Sequence, residues 1–432
     1  MHVVERCAAW ATGFRKQPMA SEVVHHARRA SIDWHAAAYP GAVLPPATLL
    51  EKALAAELDR GEARLALGRR ATARAAALIN ATAAHTAEVD DIFRDGIYHP
   101  GAPTIAAALA LTNGNQAFLR AVVVGYEIST RIGAAMGRAH YKYWHNTGTI
   151  GCFGAAAAAA EALGLDASRF AHALATVATF SAGLQQAFRM DSMSKPLHAG
   201  HAAEAGVLAA LAAREGVTGS LDVMEGEAGY GRAMGGDPDW GKALATLGED
   251  FHITRMTFKN HACCGHTFAA IDGALALQKK LNIDSDEIES VDVATYRAGL
   301  EVAHYENPTT PAEARFSLKY VVATGLTHGS VRLAAFEKER IEDPATRALM
   351  KRIRVSLDPQ LDAAFPRQRA ARVAIQAGGR REEHLQPTRI GDPDAPLTDG
   401  QLEDKYLELA APVIGADRAK EELARLWALE GR

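Results

Sequence analysis

The sequence predicts a mostly α-helical protein built from a large all-helical domain and a smaller α+β domain. Stretches rich in Ala, Leu, Glu and Arg, the strongest helix formers, dominate the chain up to about residue 250. Runs of β-branched residues follow between residues 288 and 386. The chain has 432 residues, of which 48% are hydrophobic and 23% charged, which is typical of a globular protein of two domains with a large core.

The first part of the chain is predicted to form helix after helix. Residues 49–61 and 63–88 have the composition of helices throughout. Residues 153–166 predict a helix that ends at Gly164. Because the alanine-rich surface of this helix would let neighbouring helices approach closely, we expect it to be central and buried.

The smaller domain is predicted from strand signals. Residues 288–296 and 352–358 are rich in β-branched side chains, which favour strands. Gly378 and Gly379 lie between two extended runs within residues 372–386, a pattern that indicates a β-hairpin. The helices expected between these strands cover residues 269–283 and 345–353.

These patterns divide the chain into three predicted segments. Residues 1–258 form the first part of the large helical domain, and residues 259–395 form the smaller α+β lid domain. Residues 396–432 form C-terminal helices that return to the helical domain. Because clefts between two such domains are common ligand sites, we expect the functional site there.

Composition excludes several classes of function. The net charge is −4 and the pI about 6.5, whereas proteins that bind nucleic acid carry basic faces and a high pI. No apolar run reaches the roughly 18 residues that a membrane-spanning helix needs. Glu5 and Arg6 stand where a signal peptide would be apolar. The four cysteines have neither metal-binding nor disulfide-framework spacing, so a cytoplasmic location is expected.

Four polar clusters are candidates for a functional site, and the first occupies residues 85–100. Acidic residues and histidines alternate within it: His85, Glu88, Asp90, Asp91, Asp95 and His99. Such neighbours favour general acid–base chemistry, because nearby charges push the pKa values of adjacent groups apart. The alternative interpretation is a helix end followed by a solvated acidic loop.

The second cluster, residues 140–154, centres on His145. Asn146, Thr147 and Thr149 follow it directly before the alanine-rich helix, and these residue types are natural N-caps. Because a helix N-terminus offers free N–H groups to an anion, we expect a site for a substrate carboxylate here. N-capping alone is the alternative.

The third cluster, residues 190–206, contains Lys195 and two histidines. Lys195 precedes Pro196, which is well placed to open a helix. A lysine at the positive end of a helix dipole is unfavourable unless an anion lies opposite, so we expect a substrate carboxylate or a buried acid beside Lys195. His198 and His201 share one helical face but have no evident third ligand, which argues against a metal site.

The fourth cluster, residues 258–273, contains His261, His266 and the adjacent Cys263 and Cys264. A thiolate nucleophile at Cys264 and a buried structural thiol are both compatible with this pattern. The spacings match no metal motif. The sequence contains none of the signature motifs of P-loop nucleotide-binding proteins, serine hydrolases or zinc proteases.

The order of these clusters resembles the MmgE/PrpD family. The matching segments are H-x-x-E-x-D-D before His-Pro, W-H-x-T-x-T-x-G, S-K-P-L-H-x-G-x-A-A, the Cys-Cys segment that leads to A-I-D, and ARFSLKYVVA at residues 314–323. Five segments in the family's order cover nearly the whole chain. The resemblance implies a large helical domain, a smaller α+β lid, a homodimer, and an active site between the domains that needs neither metal nor organic cofactor.

The resemblance also implies a set of site residues. The catalytic side chains would be Glu88, His99, His145, Lys195, Tyr320 and His266. The expected substrate-binding side chains are Asp91, Thr147, Thr149, His198 and His261.

Five of these six catalytic residues have an expected role. Lys195 would hold substrate carboxylates together with the N-terminus of the alanine-rich helix. His99 and His145 would exchange protons with the reacting carbon or the leaving group. Tyr320 would donate a hydrogen bond or act as a second acid, and Glu88 would set the protonation of a neighbouring histidine.

Two segments depart from the family pattern. Glu88 and Ile92 stand where many relatives have aspartate and threonine, so the acid is one methylene longer and a hydroxyl is missing. Phe268 stands where many relatives have histidine, and His266 is the nearest substitute. Both changes reshape the pocket, so the substrate of no particular member is transferred to this chain.

The resemblance predicts a cofactor-independent lyase that acts on a small di- or tricarboxylate, first of all by elimination of water as in 2-methylcitrate dehydration. The alternatives are decarboxylation of the cis-aconitate type and epimerisation at a carbon next to a carboxylate. A catalytically silent polycarboxylate-binding protein is the alternative of another class. The expected partners are the small substrate and a second copy of the chain, with no nucleic acid and no membrane.

Overall fold

The computed structural model describes residues 1–112, 117–188 and 192–430, and it divides into two compact units. Unit 1 comprises Met1–Thr257 and Thr398–Arg432, and unit 2 comprises Phe258–Leu397. Helices predominate, so the predicted mostly α-helical fold class is confirmed. None of the described helices combines the length and the apolar composition that crossing a membrane requires.

Unit 1 begins with a series of helices interrupted by one short hairpin. Its helices before residue 258 are α1 Val3–Phe14, α2 Ser21–Ala42, α3 Ala47–Ala53, α4 Ala73–Thr86, α5 Gly101–Thr112, α6 Ala117–Tyr141, α7 Asn146–Thr149, α8 Gly151–Ala162, α9 Ala167–Ala178, α10 Ser194–Arg214, α11 Tyr230–Gly235 and α12 Trp240–Ala243. Its strands are β1 Leu58–Arg64 and β2 Arg70–Ala71.

Helix α8 is the centre of unit 1, as its alanine-rich sequence predicts. Every residue from Gly151 to Glu161 is buried. A Cβ atom on Gly154 would lie 2.5 Å from Oγ1 of Thr104 on α5 and 2.8 Å from Oγ of Ser129 on α6, so only glycine permits this packing. The backbone beyond the helix turns at Gly164, whose φ of +65° is the left-handed conformation that glycine adopts at helix ends.

The prediction of helix over residues 49–61 and 63–88 is wrong in part. Strands β1 and β2 pair antiparallel where the composition favoured helix. Gly61 and Gly68 have φ of +69° and +100°, and a helix interior does not accommodate either value. A Cβ atom on Gly61 would lie 2.8 Å from the carbonyl oxygen of Ala71, so this hairpin depends on the glycine. Helix propensity is a weak preference that such tertiary contacts override.

Unit 2 combines short helices with one sheet. Its helices are α13 Phe268–Leu281, α14 Arg297–Val302, α15 Pro311–Arg315, α16 Leu318–His328, α17 Lys338–Ile341, α18 Pro344–Met350 and α19 Pro359–Ala364. Its strands are β3 Ile288–Thr295, β4 Ile353–Leu357, β5 Ala371–Ala377 and β6 Arg380–Gln386.

The sheet of unit 2 confirms the predicted strands. Its order is β4-β3-β5-β6, with β3 and β4 parallel and the other neighbours antiparallel. Gly378 and Gly379 join β5 to β6 with φ of +55° and +70°, the conformation of a tight two-residue hairpin turn. Helix α13 packs against β5 and β6.

The last two helices, α20 Asp399–Ile414 and α21 Ala416–Trp427, belong to unit 1. Helix α20 packs against α2, where the rings of Tyr39 and Tyr406 meet edge to face. Lys405 of α20 is fully buried, and its Nζ lies 2.5 Å from Oδ1 of Asp33 on α2. The same ammonium donates a hydrogen bond of 2.6 Å to the carbonyl of Val89. The C-terminal segment therefore fixes the loop after α4, which carries the candidate site.

Candidate active site

Four histidines converge within unit 1 from three parts of the chain. His85 ends helix α4, and His99 lies on the loop that follows it. His145 directly precedes α7, and His198 lies in the first turns of α10. The ring centroids of His85 and His99 are 4.7 Å apart, those of His85 and His145 are 5.4 Å apart, and those of His145 and His198 are 5.2 Å apart. The rings therefore form one continuous cluster, which we call the histidine cluster.

Asp90 joins two members of the histidine cluster through a single carboxylate oxygen. Its Oδ2 lies 2.7 Å from Nδ1 of His85 and 3.1 Å from Nδ1 of His99. Burial alone would raise the pKa of Asp90, but the charges and N–H groups of His99 and His85 outweigh it and hold the pKa well below its usual range. Asp90 is therefore ionised at neutral pH.

His145 and His198 form a second contact within the cluster. Their Nδ1 atoms are 3.0 Å apart, so one ring carries the proton on Nδ1 and the other accepts it. Burial, followed by the charges of His85 and Lys195, lowers the pKa of His145 well below its usual value. Burial also lowers the pKa of His198 to about 4. Both imidazoles are therefore neutral at neutral pH.

Lys195 brings a positive charge next to the histidine cluster. Its Nζ lies 2.7 Å from Oε1 of Glu88 and 5.3 Å from the centre of the Phe188 ring. The anion opposite the lysine within the protein is thus the Glu88 carboxylate, which is 53% exposed and is therefore not the buried acid that was expected. A substrate carboxylate beside Lys195 stays a prediction. Glu88 has a φ of +56°, a left-handed conformation that is uncommon for residues other than glycine and that concentrates at functional sites. The prediction that Lys195 precedes its helix is wrong, because α10 begins at Ser194 and includes the lysine in its first turn.

The threonines that follow His145 form hydrogen bonds with nearby residues of unit 1. Oγ1 of Thr147 accepts a hydrogen bond of 3.2 Å from the backbone N–H of His99, and Oγ1 of Thr149 lies 2.6 Å from Nε2 of His140. Both threonines are fully buried. The predicted N-capping is wrong, since His145 occupies the N-cap position of α7 and makes no side-chain capping bond. Contact between these threonines and a substrate carboxylate stays a prediction.

Asp91 points away from the histidine cluster into the core of unit 1. Its carboxylate accepts hydrogen bonds from the hydroxyl of Tyr126 at 2.7 Å and from the backbone N–H of Gly101 at 3.0 Å. Burial, followed by the negative charge of Asp33, raises the pKa of Asp91 to about 8. The predicted substrate-binding residue is therefore a buried acid that keeps its proton at neutral pH, and a substrate-binding role for it stays a prediction.

This raised pKa gives a pH dependence of stability. Native Asp91 retains a proton that the unfolded chain loses above about pH 4, so its contribution falls by up to about 1.4 kcal/mol per pH unit until about pH 8 and then levels off. Replacing Asp91 with asparagine removes this loss. We expect the variant to gain thermal stability relative to the natural chain as the pH rises from about 5 to about 8, measured by calorimetry. Parallel stability curves for the two proteins would contradict this assignment.

Unit 2 places His261 in a buried pair of its own. Nε2 of His261 lies 2.9 Å from Oδ1 of Asp272, and Oδ2 of that carboxylate accepts a hydrogen bond of 2.8 Å from the backbone N–H of Ile390. Phe268, where the resemblance led us to expect a histidine, is buried and packs edge to face against the His261 ring at 5.1 Å. Substrate binding by His261 stays a prediction.

His266 and Tyr320 have separate partners within unit 2. Nδ1 of His266 lies 2.9 Å from the hydroxyl of Tyr296, and burial, with the positive charges of nearby arginines, lowers the pKa of His266 to about 4. Tyr320 is fully buried, and its hydroxyl donates to the carbonyl of Ala335. A catalytic role for Tyr320 would require that bond to be exchanged for one to substrate, so it stays a prediction.

The adjacent cysteines behave as thiols. Burial raises the pKa of Cys263 to about 12 and also raises the pKa of Cys264. Sγ of Cys263 lies 3.2 Å from Oγ1 of Thr267. Of the two interpretations left open by the sequence, a structural thiol is therefore favoured over a thiolate nucleophile.

One group of side chains within the described ranges has the spacing of a metal site. The ligand atoms of His85, Asp90 and His99 lie within 4.8 Å of one another. His198 and His201, the pair considered from sequence, have other partners, since Nε2 of His201 lies 3.0 Å from the carbonyl of Phe180. His85 was absent from the predicted site residues. The sequence feature that could have identified His85 is its position five residues before Asp90, at the end of an alanine-rich helix.

These features define a class: a mostly helical protein of two units whose larger unit holds a buried cluster of imidazoles beside a lysine. Family comparison agrees with that description. The MmgE/PrpD N-terminal domain matches residues 5–243, and the MmgE/PrpD C-terminal domain matches residues 261–429. The chain belongs to the MmgE/PrpD family.

Curated relatives extend over most of the chain. The cis-aconitate decarboxylase-like protein oryM of Aspergillus oryzae is 25% identical over 453 residues, covering 96% of this chain and 92% of that protein. The cis-aconitate decarboxylase of Homo sapiens is 24% identical, covering 79% of this chain and 73% of that protein. The cis-aconitate decarboxylase of Aspergillus terreus is 23% identical, with coverages of 95% and 90%.

Proposed function

We propose that this protein is a lyase that removes CO2 from a small di- or tricarboxylate, using its own side chains as cation, acid and base. The observation that carries the proposal is the position of Lys195, whose ammonium lies beside a buried cluster of imidazoles joined to an ionised carboxylate. A site of this kind binds an anionic substrate and transfers protons within a protected volume.

Decarboxylation requires the site to stabilise a developing negative charge and then to supply a proton. When the bond to the leaving carboxylate breaks, its electron pair stays on the substrate, and the charge spreads onto a remaining carboxylate. Lys195 would stabilise that charge, since a cation aimed at charge that develops in the transition state lowers the barrier directly. A proton must then replace CO2 on carbon.

His99 is the member of the cluster to which we assign the supply of that proton. The ionised Asp90 carboxylate 3.1 Å from its Nδ1 stabilises an imidazolium at this position. His145 and His198 are neutral, so they would hold the substrate by hydrogen bonds. Glu88 orients Lys195 through the contact of 2.7 Å between their side chains.

Elimination of water, the reaction expected first from the sequence, would use the same groups in another order. His99 would take a proton from carbon, and a second group would protonate the leaving hydroxyl. Loss of CO2 is favoured for this chain because its relatives include two cis-aconitate decarboxylases and one cis-aconitate decarboxylase-like protein. Epimerisation would require only removal and return of the proton.

A single NMR experiment in D2O separates these reactions. The full-length protein is incubated with ¹³C-labelled cis-aconitate and, separately, with 2-methylcitrate. We expect labelled CO2 and bicarbonate, with deuterium on the carbon that receives the proton. A new alkene without CO2 would instead identify a dehydratase, and deuterium uptake without net product would identify an epimerase. Ligand-induced thermal stabilisation without either change would identify a binding protein, and the lyase proposal would then be wrong.

A further inference from the structure

His85 is a fully buried histidine at the centre of the cluster. Its Nδ1 lies 2.7 Å from Oδ2 of Asp90, the shorter of the two imidazole contacts to that oxygen. Its ring stacks on His145, with an angle of 22° between the planes, and meets His99 edge to face. His85 therefore touches both His99, the proposed proton donor, and His145, which would hold the substrate.

The shared oxygen of Asp90 determines where the ring protons lie. Because Asp90 is ionised, its Oδ2 can only accept hydrogen bonds. An imidazole nitrogen without a proton at 2.7 Å would set one lone pair against another, so Nδ1 of His85 carries a proton. The same ionised oxygen, 3.1 Å from Nδ1 of His99, favours a proton on that nitrogen as well. When neutral, His85 and His99 are then Nδ1–H tautomers, and the basic atom of each ring is Nε2.

Within the described ranges, the His85 ring is held through one of its nitrogens and leaves the other without a partner. Among the residues that the structure describes, Nε2 of His85 has no hydrogen-bond partner, although the side chain is fully buried. A buried acceptor without a partner costs about 1–3 kcal/mol, and an apolar side chain at this position would avoid that cost. The compensating gain is the hydrogen bond to Asp90.

We propose that His85 is a positioning residue: its Nδ1–H holds the Asp90 carboxylate in the orientation that keeps His99 in the Nδ1–H tautomer, so that Nε2 is the atom of His99 that exchanges the substrate proton. This role deepens the proposed lyase function and rests on it for its catalytic consequence. The tautomer itself is a property of the protein without substrate, so it is measured independently.

The first measurement reads the tautomers by NMR. The full-length protein is labelled with ¹⁵N-histidine and studied over a rising pH series until the imidazole signals stop changing, so that the neutral tautomers are the forms observed. The signals of His99 and His85 are assigned from spectra of His99→Gln and His85→Asn. We expect the Nδ1–H tautomer for both residues. The Nε2–H tautomer of His99, or a stoichiometric divalent metal found by elemental analysis, would overturn the proposal.

The second measurement compares two replacements of His85. Asparagine offers an amide N–H close to the position of Nδ1, whereas leucine fills the space without a donor. We expect His85→Asn to keep the His99 tautomer and His85→Leu to lose it. If His85→Leu does not fold, as judged by circular dichroism, the asparagine variant still tests the proposal, because loss of the tautomer there contradicts it.

The same two variants of His85 also give a prediction for turnover. We expect His85→Leu to lower kcat by about 10- to 100-fold with KM within about twofold, less than the roughly 10⁴-fold effect of replacing the orienting aspartate in a serine protease triad. His85→Asn should stay within a few-fold of the natural chain. Equal losses in both variants would show that His85 does not act through its N–H group. Expected tautomers without turnover of any polycarboxylate would contradict the proposed lyase function and leave the positioning of His99 standing.

Discussion

Replacing Lys195 with methionine is expected to lower kcat/KM for the polycarboxylate substrate by about 10²- to 10³-fold, the loss typical of removing one group that stabilises transition-state charge. Methionine keeps the length of the side chain and its contact with Phe188 but removes the ammonium. The charge that develops on the substrate carboxylate would then lose the ammonium and face the neutral imidazoles of His145 and His198 at that point. Steady-state kinetics of the purified variant provide the measurement.

The expected loss is specific to the site and not to folding. The Lys195 side chain is 19% exposed and its partner Glu88 is 53% exposed, so their ion pair contributes only about 0–1 kcal/mol to stability. Lys195→Arg keeps the charge with a different geometry and should recover part of the activity. Lys420→Met, on the exposed face of α21, is the matched control and should behave as the natural chain does. Activity of Lys195→Met within a few-fold of the natural chain would remove this lysine from the mechanism.

The parts of the fold that were predictable have local causes. Gly164 ends the central helix region because glycine alone adopts the left-handed backbone there without strain, and a sequence displays that glycine directly. The turn at Gly378 and Gly379 is equally local. The strands of unit 2 were visible because β-branched residues concentrate in them.

The hairpin over residues 58–71 was not predictable from composition. Its residues are good helix formers, and pairing between the two strands decides the structure there. Gly61 and Gly68 were the local sequence features that argued against a helix in this stretch. A glycine within a helix-forming stretch lowers the helix preference by only about 1 kcal/mol, which does not by itself predict a strand.

In the candidate site, too, local features were predictable from the sequence and long-range contacts were not. Polar residues in an alanine-rich chain identified His99, His145 and Lys195 as candidates. Their convergence could not be derived from spacing, because Lys195 meets Glu88 across 107 residues of chain. The importance of His85 became evident only with its burial and with the direction of its Nδ1 atom.

Replacing Lys405 with methionine is expected to lower the free energy of unfolding of unit 1 by about 3–5 kcal/mol, because breaking a buried ion pair from one side leaves an uncompensated charge. The side chains of Lys405 and Asp33 are each 1% exposed, so water cannot solvate the remaining carboxylate. Unfolding in urea, followed by circular dichroism, measures the change. Lys280→Met removes an exposed ion pair with Glu382 and is the matched control, with an expected change of less than about 1 kcal/mol.

A double variant separates the buried charge from the lost contacts. Asp33→Asn together with Lys405→Met removes both charges, so it should recover much of the stability that the single lysine variant loses. It does not restore the hydrogen bond from Lys405 to the carbonyl of Val89, the residue next to Glu88. We therefore expect the double variant to fold and still to show a lowered kcat, because the loop that carries Glu88 has lost its anchor. A single variant as stable as the Lys280→Met control would show that the Asp33–Lys405 pair does not hold the C-terminal helices to the candidate site.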